Sequence, residues 1–171
     1  MKGKASELRT RSLSLQPFEE RDRADAVAIL RNEEIKKTYM VPDFSSDEEA
    51  GRLFERLMCL SENAARFVYG IRLDGQLIGF VNEVEIDGGT VEVGYVIHPN
   101  WKNCGYATEA LEACVQELLR MGYSAVRAGV FEENTASRRV IEKCGLKPVE
   151  KTDEIEYRGR THRCIYFETV G

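Results

Sequence analysis

Residues 91–111, V-E-V-G-Y-V-I-H-P-N-W-K-N-C-G-Y-A-T-E-A-L, constrain this chain more than any other stretch. Their first part is apolar or β-branched at nearly every position and stops at His98-Pro99, where proline has no N–H to give a ladder and restricts the residue before it. That pattern predicts a strand with an abrupt end. From Ala107 the apolar residues Ala107, Ala110, Leu111, Cys114, Val115 and Leu118 follow the spacing of one helical face, with Glu109, Glu112, Gln116, Glu117 and Arg120 opposite. Between strand and helix lies a short turn holding one glycine, Gly105. The first N–H groups of such a helix have no intrahelical partner. With the positive end of the helix dipole they suit a phosphate or pyrophosphate, and a glycine lets the anion approach the main chain.

The turn has neither the G-x-x-x-x-G-K-[ST] nor the G-x-G-x-x-G pattern, so nucleotide hydrolysis and dinucleotide binding lose support. A net charge of −5 offers no electrostatic footprint for nucleic acid and suits a cationic amine. The five cysteines, Cys59, Cys104, Cys114, Cys144 and Cys164, are scattered without C-x-x-C spacing, which predicts reduced thiols, no disulfide framework and no metal site. No run approaches the roughly 18 apolar residues of a membrane span, and residues 1–18 lack a signal-peptide core, so the expectation is a cytoplasmic protein without membrane association. Its 171 residues suffice for one domain covering the whole chain, 1–171.

In order, residues 8–18 read as a first strand ending at Pro17, 19–31 as a helix, 39–44 as an aromatic-bearing loop that could wall an acceptor pocket, and the stretch after Ser45-Ser46 as a capped amphipathic helix. Strands at 67–73, 77–86 and 90–97 are separated by Asp74-Gly75 and Asp87-Gly88-Gly89, giving an antiparallel meander. After the central helix, 125–131 reads as a buried strand, and 132–145 as a helix capped by Asn134, with Ala136, Val140 and Ile141 inward. Residues 146–157 and 160–167 make a last hairpin. The order is β-α-α-β-β-β-α-β-α-β-β, an α/β fold with one mixed sheet and helices on both faces. Consecutive apolar residues at 164–167 predict an exposed edge strand and a homodimer formed through it.

The string Lys102-Asn103-Cys104-Gly105-Tyr106-Ala107 resembles the acyl-CoA loop [R/Q]-x-x-G-x-[G/A] of the GCN5-related N-acetyltransferases (GNAT), with Lys in the first position. The wider string G-Y-V-I-H-P-x-W-K-x-x-G-Y-A-T-E-A-L looks like the branch containing the ribosomal-protein-alanine N-acetyltransferases. Residues 8–18 partly match that branch's opening T-x-R-L-x-L-R-P, departing at Ser12 and Gln16. The resemblance implies a GNAT fold in which two strands splay around the pantetheine arm of acetyl-CoA as co-substrate. It also implies direct transfer of acetyl to an amine, either a protein N-terminus or a small molecule. On it, Lys102, Asn103, Cys104, Gly105, Tyr106, Ala107, Thr108 and Asn134 would hold the co-substrate, and a backbone N–H near Val96 or Ile97 would face the developing oxyanion.

A base is needed for the amine and an acid for the leaving thiolate. Glu92 matches the glutamate of the branch's E-I-G-Y string, and alternation puts it on the face of Gly94, Val96 and His98. Glu83 and Glu85, expected on a shared face of the preceding strand, are alternatives. Ser137 matches a serine of the branch and is the candidate acid, because Ile141 stands where many GNAT enzymes carry a tyrosine. That departure also leaves room for a different reading, a catalytically silent acyl-CoA-binding sensor.

Overall fold

The computed structural model describes residues 1–169. Its strands are β1 (Leu8–Arg9), β2 (Leu13–Gln16), β3 (Val68–Leu73), β4 (Gln76–Asp87), β5 (Thr90–Ile97), β6 (Ala125–Phe131), β7 (Leu146–Tyr157) and β8 (Arg160–Thr169). The helices are α1 (Arg23–Leu30), α2 (Glu33–Lys36), α3 (Asp47–Glu62), α4 (Tyr106–Met121) and α5 (Thr135–Lys143). The expected order is kept with two additions. Residues 8–18 fold back on themselves as β1 and β2, with Leu8 opposite Leu15, and a one-turn α2 forms where Asn32 accepts hydrogen bonds from the Glu34 and Ile35 N–H groups.

One sheet runs β1-β2-β3-β4-β5-β6-β8-β7. Its neighbours are antiparallel except β5 and β6. The turn at Asp74 (φ 49°) and Gly75 (φ 84°), and the one joining the last hairpin at Arg158 (φ 51°) and Gly159 (φ 74°), both use the left-handed region. Against one face α4 buries Ala110, Leu111, Cys114, Val115 and Leu118 on Val91, Val93, Val126 and Ala128. The opposite face carries Phe18, Ala26, Ile29, Leu30, Ile35 and Phe54 against Val68, Phe80 and Val96. Each large side chain fully buried this way contributes roughly 1.5–3 kcal/mol, so the two layers hold the strands from both sides.

The last hairpin departs from expectation. β8 lies between β6 and β7, so Cys164, Tyr166 and Phe167 are buried and residues 164–167 form no free edge. The outer strand is β7, which presents Lys147, Glu150, Asp153, Glu154 and Glu156 to solvent, the kind of charged edge that resists strand pairing. The stated basis for a homodimer is thereby removed.

The functional consequence of the sheet lies in its one parallel pair. β5 and β6 are bonded only at Thr90–Ala125, Val91–Val126 and Glu92–Arg127. Beyond that point β5 continues to pair with β4 up to Ile97 and β6 with β8 up to Phe131, so the two strands part and leave a gap between them.

Candidate active site

The gap between β5 and β6 opens into a cleft of about 620 Å³. Its walls bring together Val93 to Ile97 of β5, Gly129 and Val130 of β6, the loop 101–105, the first turn of α4, and Asn134, Ser137 and Val140 at the start of α5. Ile97, Lys102, Asn103, Cys104, Gly105, Tyr106, Ala107, Thr108, Asn134 and Ser137, all singled out from the sequence, line this one space.

The loop is shaped by its backbone. His98 Nδ1 accepts from the Asn100 N–H at 3.1 Å and caps a 3-10 turn, Pro99–Trp101, so this imidazole is occupied structurally. Asn103 (φ 59°) and Gly105 (φ 81°) both sit in the left-handed region, and a Cβ at Gly105 would meet nothing within 4 Å. No side chain caps α4, which leaves the N–H groups of its first turn at the cleft. Such an end fits an anion such as pyrophosphate. Lys102 adds a cation, although its Nζ lies 3.8 Å from Glu34 Oε2 of α2, and Glu34 also lines the cleft.

Backbone direction along β5 separates two candidates for the oxyanion donor. The His98 N–H bonds the Ile78 carbonyl at 2.7 Å, so alternation turns the Val96 N–H into the β4 ladder and the Ile97 and Tyr95 N–H groups toward the gap. Of the two expected positions, Ile97 is the one whose N–H turns toward the gap.

Ser137 is held by the N-cap of its helix: Asn134 Oδ1 accepts from the Ser137 N–H at 3.2 Å. Its hydroxyl meets the hydroxyl of Tyr95 at 2.7 Å across the cleft. Burial pushes the Tyr95 phenol up to about 12. Tyr95 was not a sequence candidate, because it lies on the opposite face of β5 from Glu92 and only the splay exposes it. Ile141, at the position where the resemblance led one to look for a tyrosine, is fully buried in the core, while Ala136, expected inward, is exposed and lines the cleft.

Glu92 stands where the strands part, facing Gly129: a Cβ on that glycine would come within 3.1 Å of Glu92 Oε1 and 2.7 Å of the Tyr166 ring. It is half-buried and lies below the cleft rather than among its lining. Burial raises its pKa, Glu85 and Asp153 add to the rise, and Lys151 and Arg127 oppose it. Glu83 and Glu85 do not share a face. A bulge between them puts Glu83 opposite Val93 and Glu85 opposite Glu92, so Glu83 turns away, pairs with Arg66 and accepts from the Phe67 N–H at 2.9 Å. Glu85 stays on the face of Glu92 with Lys151 3.7 Å away. Tyr39, from the loop after α2, lines the cleft on that side and donates to Asn82 Oδ1 at 2.5 Å.

Residues 12–147 match the acetyltransferase (GNAT) domain family. The chain belongs to that family. Among curated relatives it is similar to the uncharacterized N-acetyltransferase YnaD of Bacillus subtilis (strain 168), 29% identical over 140 residues, 81% of each chain. Among solved structures it resembles RimL, a ribosomal L7/L12 alpha-N-protein acetyltransferase in complex with coenzyme A (TM-score 0.83, 16% identity, 94% of this chain and 95% of that one). It also resembles the microcin C7 self-immunity acetyltransferase MccE in complex with acetyl-CoA and AMP (TM-score 0.80, 18% identity, 94% and 93%). The mixed sheet with its splayed parallel pair is thus a GNAT fold. Among the described residues no helix is long and apolar enough to cross a membrane, and no group of His, Cys, Asp and Glu has the arrangement of a metal site.

Proposed function

We propose that this GNAT acetyltransferase moves the acetyl group of acetyl-CoA directly to an amine, with residues 1–171 acting as one catalytic domain. The observation that carries the reading is the continuous cleft from the uncapped start of α4 to the point where β5 and β6 part. Acetyl-CoA, when bound, supplies a thioester open to attack by a neutral amine and a thiolate that must regain a proton.

The chain's own groups match these needs in turn. The loop 102–105 and the N–H groups of Tyr106, Ala107 and Thr108 hold phosphate oxygens, with Lys102 contributing charge. The Ile97 N–H supports the oxyanion. Glu92 accepts the ammonium proton at Oε1, directly or through water, and its raised pKa makes it a stronger base than an exposed carboxylate. Ser137 Oγ, kept in place by the Tyr95 hydroxyl, passes a proton to the thiolate and regains one from water as the attacking nitrogen releases its second proton.

The acceptor is an amine, whether a protein N-terminus or a small molecule. Thiol release from acetyl-CoA, measured with an N-terminal peptide, a polyamine and an aminoglycoside, tests this reading. Turnover with at least one of them is expected. Tight CoA binding with no turnover on any amine would overturn it in favour of an acyl-CoA sensor.

A further inference from the structure

The tip of the last hairpin reaches the segment after α2, which lines the cleft through Thr38 and Tyr39. Tyr157, the last residue of β7, donates its hydroxyl to the Lys36 carbonyl at 2.6 Å, lies 3.2 Å from the Tyr39 carbonyl and accepts from the Val41 N–H at 3.4 Å. The end of a one-turn helix leaves carbonyls without partners, and this hydroxyl supplies one. Around it Arg158 pairs with Glu33 and Asp43 at 3.2 and 3.5 Å, and Lys36 bridges the same two carboxylates at 3.2 and 3.1 Å. These four charges form one network with Lys36 buried and both carboxylates exposed, and within it the phenol is the group that bonds the main chain of residues 36–41.

The segment that the phenol bonds carries Tyr39, which is also held by Asn82 and by the Ile35 carbonyl. Its ring meets Phe80 edge-on at 5.7 Å and lies with Val84 over Gly94, each within 3.3 Å of where a Cβ on that glycine would stand. The Thr38 and Tyr39 N–H groups bond the Ile35 carbonyl at 3.1 and 2.9 Å, but residues 40–45 have no helix or strand of their own to fix them. The Tyr157 ring also approaches Phe131 at the end of β6, 6.1 Å between centroids. One side chain therefore joins the β6 wall of the gap to the loop opposite.

We infer that Tyr157 is a positioning residue for the amine acceptor: its hydroxyl holds residues 36–41 so that Tyr39 forms an apolar wall of the cleft at Gly94, two residues along β5 from Glu92. This rests on the proposed acetyl transfer to an amine. Tyr157 bonds none of residues 102–105, and α2 meets that loop through Glu34, 3.8 Å from Lys102, so the acceptor is the ligand whose binding should depend on the tyrosine.

Tyr157→Phe keeps the ring packing and removes the hydroxyl. Hydrogen exchange of the amides at 38–41 should accelerate about fivefold to tenfold, the effect of losing one hydrogen bond. With whichever of the three amines turns over, the acceptor KM should rise by at least about fivefold, with kcat within about twofold and acetyl-CoA affinity unchanged by calorimetry. Arg158→Met, which spares the hydroxyl, should move each quantity less than about twofold. Unchanged exchange in Tyr157→Phe, an unchanged acceptor KM, or an equal rise in the acetyl-CoA Kd would overturn the assignment. Failure of every amine with the wild-type chain would overturn the proposed reaction instead, and the exchange measurement would still decide whether Tyr157 holds the loop.

Discussion

The hydroxyls of Tyr95 and Ser137 lie 2.7 Å apart, one on β5 and the other on α5, at the opposite walls of the cleft. Nothing in the chain between them brings the two together except the parting of β5 from β6 and the seating of α5 on the core through Ile141.

From that pair the first prediction follows. Ser137→Ala should lower kcat by about tenfold, less than removal of an indispensable acid, because water also protonates a thiolate of pKa near 8.5. Tyr95→Phe should lower it by a smaller factor, since it removes only the partner that orients Ser137. Because burial lifts the Tyr95 phenol to about 12, it stays protonated through pH 10, and the wild-type profile should show no basic limb below that point assignable to it. A fall in kcat between pH 8 and 10 that disappears in Tyr95→Phe would contradict the assignment.

Glu92 gives opposite effects on activity and stability. On the proposed reaction, in which Glu92 is the base, Glu92→Gln should reduce kcat by roughly 10²- to 10⁴-fold and remove the acidic limb, while acetyl-CoA affinity holds because the side chain does not line the cleft. Its pKa is raised in the fold, so the native state holds the proton more tightly than the unfolded chain does. That contribution is complete below the unfolded pKa near 4.3 and is lost as pH rises through the higher folded value. At pH 7 the Gln variant should therefore melt no lower than the wild type. A melting temperature well below wild type with full turnover would make Glu92 a structural residue.

Glu34 competes for the loop's cation. Its carboxylate sits 3.8 Å from Lys102 Nζ in a space suited to phosphate, so Glu34→Gln should tighten CoA binding by about twofold to fivefold, and the gain should shrink as salt rises. Gly105→Val should abolish binding, because its φ of 81° is strained for a β-branched residue and the new side chain would occupy the open space over the helix start. Calorimetry at two ionic strengths checks both, and unchanged affinity in a folded Gly105→Val protein would displace the phosphate assignment.

Stability rests in part on a buried ion pair. Arg72 donates to both carboxylate oxygens of Asp22, at 2.5 and 2.6 Å, with both side chains almost wholly excluded from solvent, while Arg72 Nε has no partner. Asp22→Ala leaves a guanidinium unpaired in the interior and should cost about 3–5 kcal/mol in urea unfolding. A loss under about 1 kcal/mol would mean that the guanidinium finds water or another acceptor.

The sequence by itself determined what depends on neighbours a few residues away. The periodicity of 107–118 specified α4, Asp74-Gly75 and Arg158-Gly159 specified their hairpins, and Gly105 marked the one position in the loop where a left-handed glycine begins a helix. Asn134 was legible as a cap from its local pattern, whereas Ile97, Lys102 and Thr108 were expected on one lining only through the resemblance to the GNAT loop, and the cleft holds all three. Tertiary structure alone decided which segments met. Insertion of β8 between β6 and β7 buried an apolar run that reads from sequence as an edge, since strand order depends on pairing across the sheet. The bulge after Glu83 separated two glutamates that strict alternation joins, because the extra residue shifts the period by one. The Tyr95–Ser137 and Tyr157–Lys36 contacts span 42 and 121 residues, distances over which sequence spacing carries no information and only the packed sheet sets the geometry.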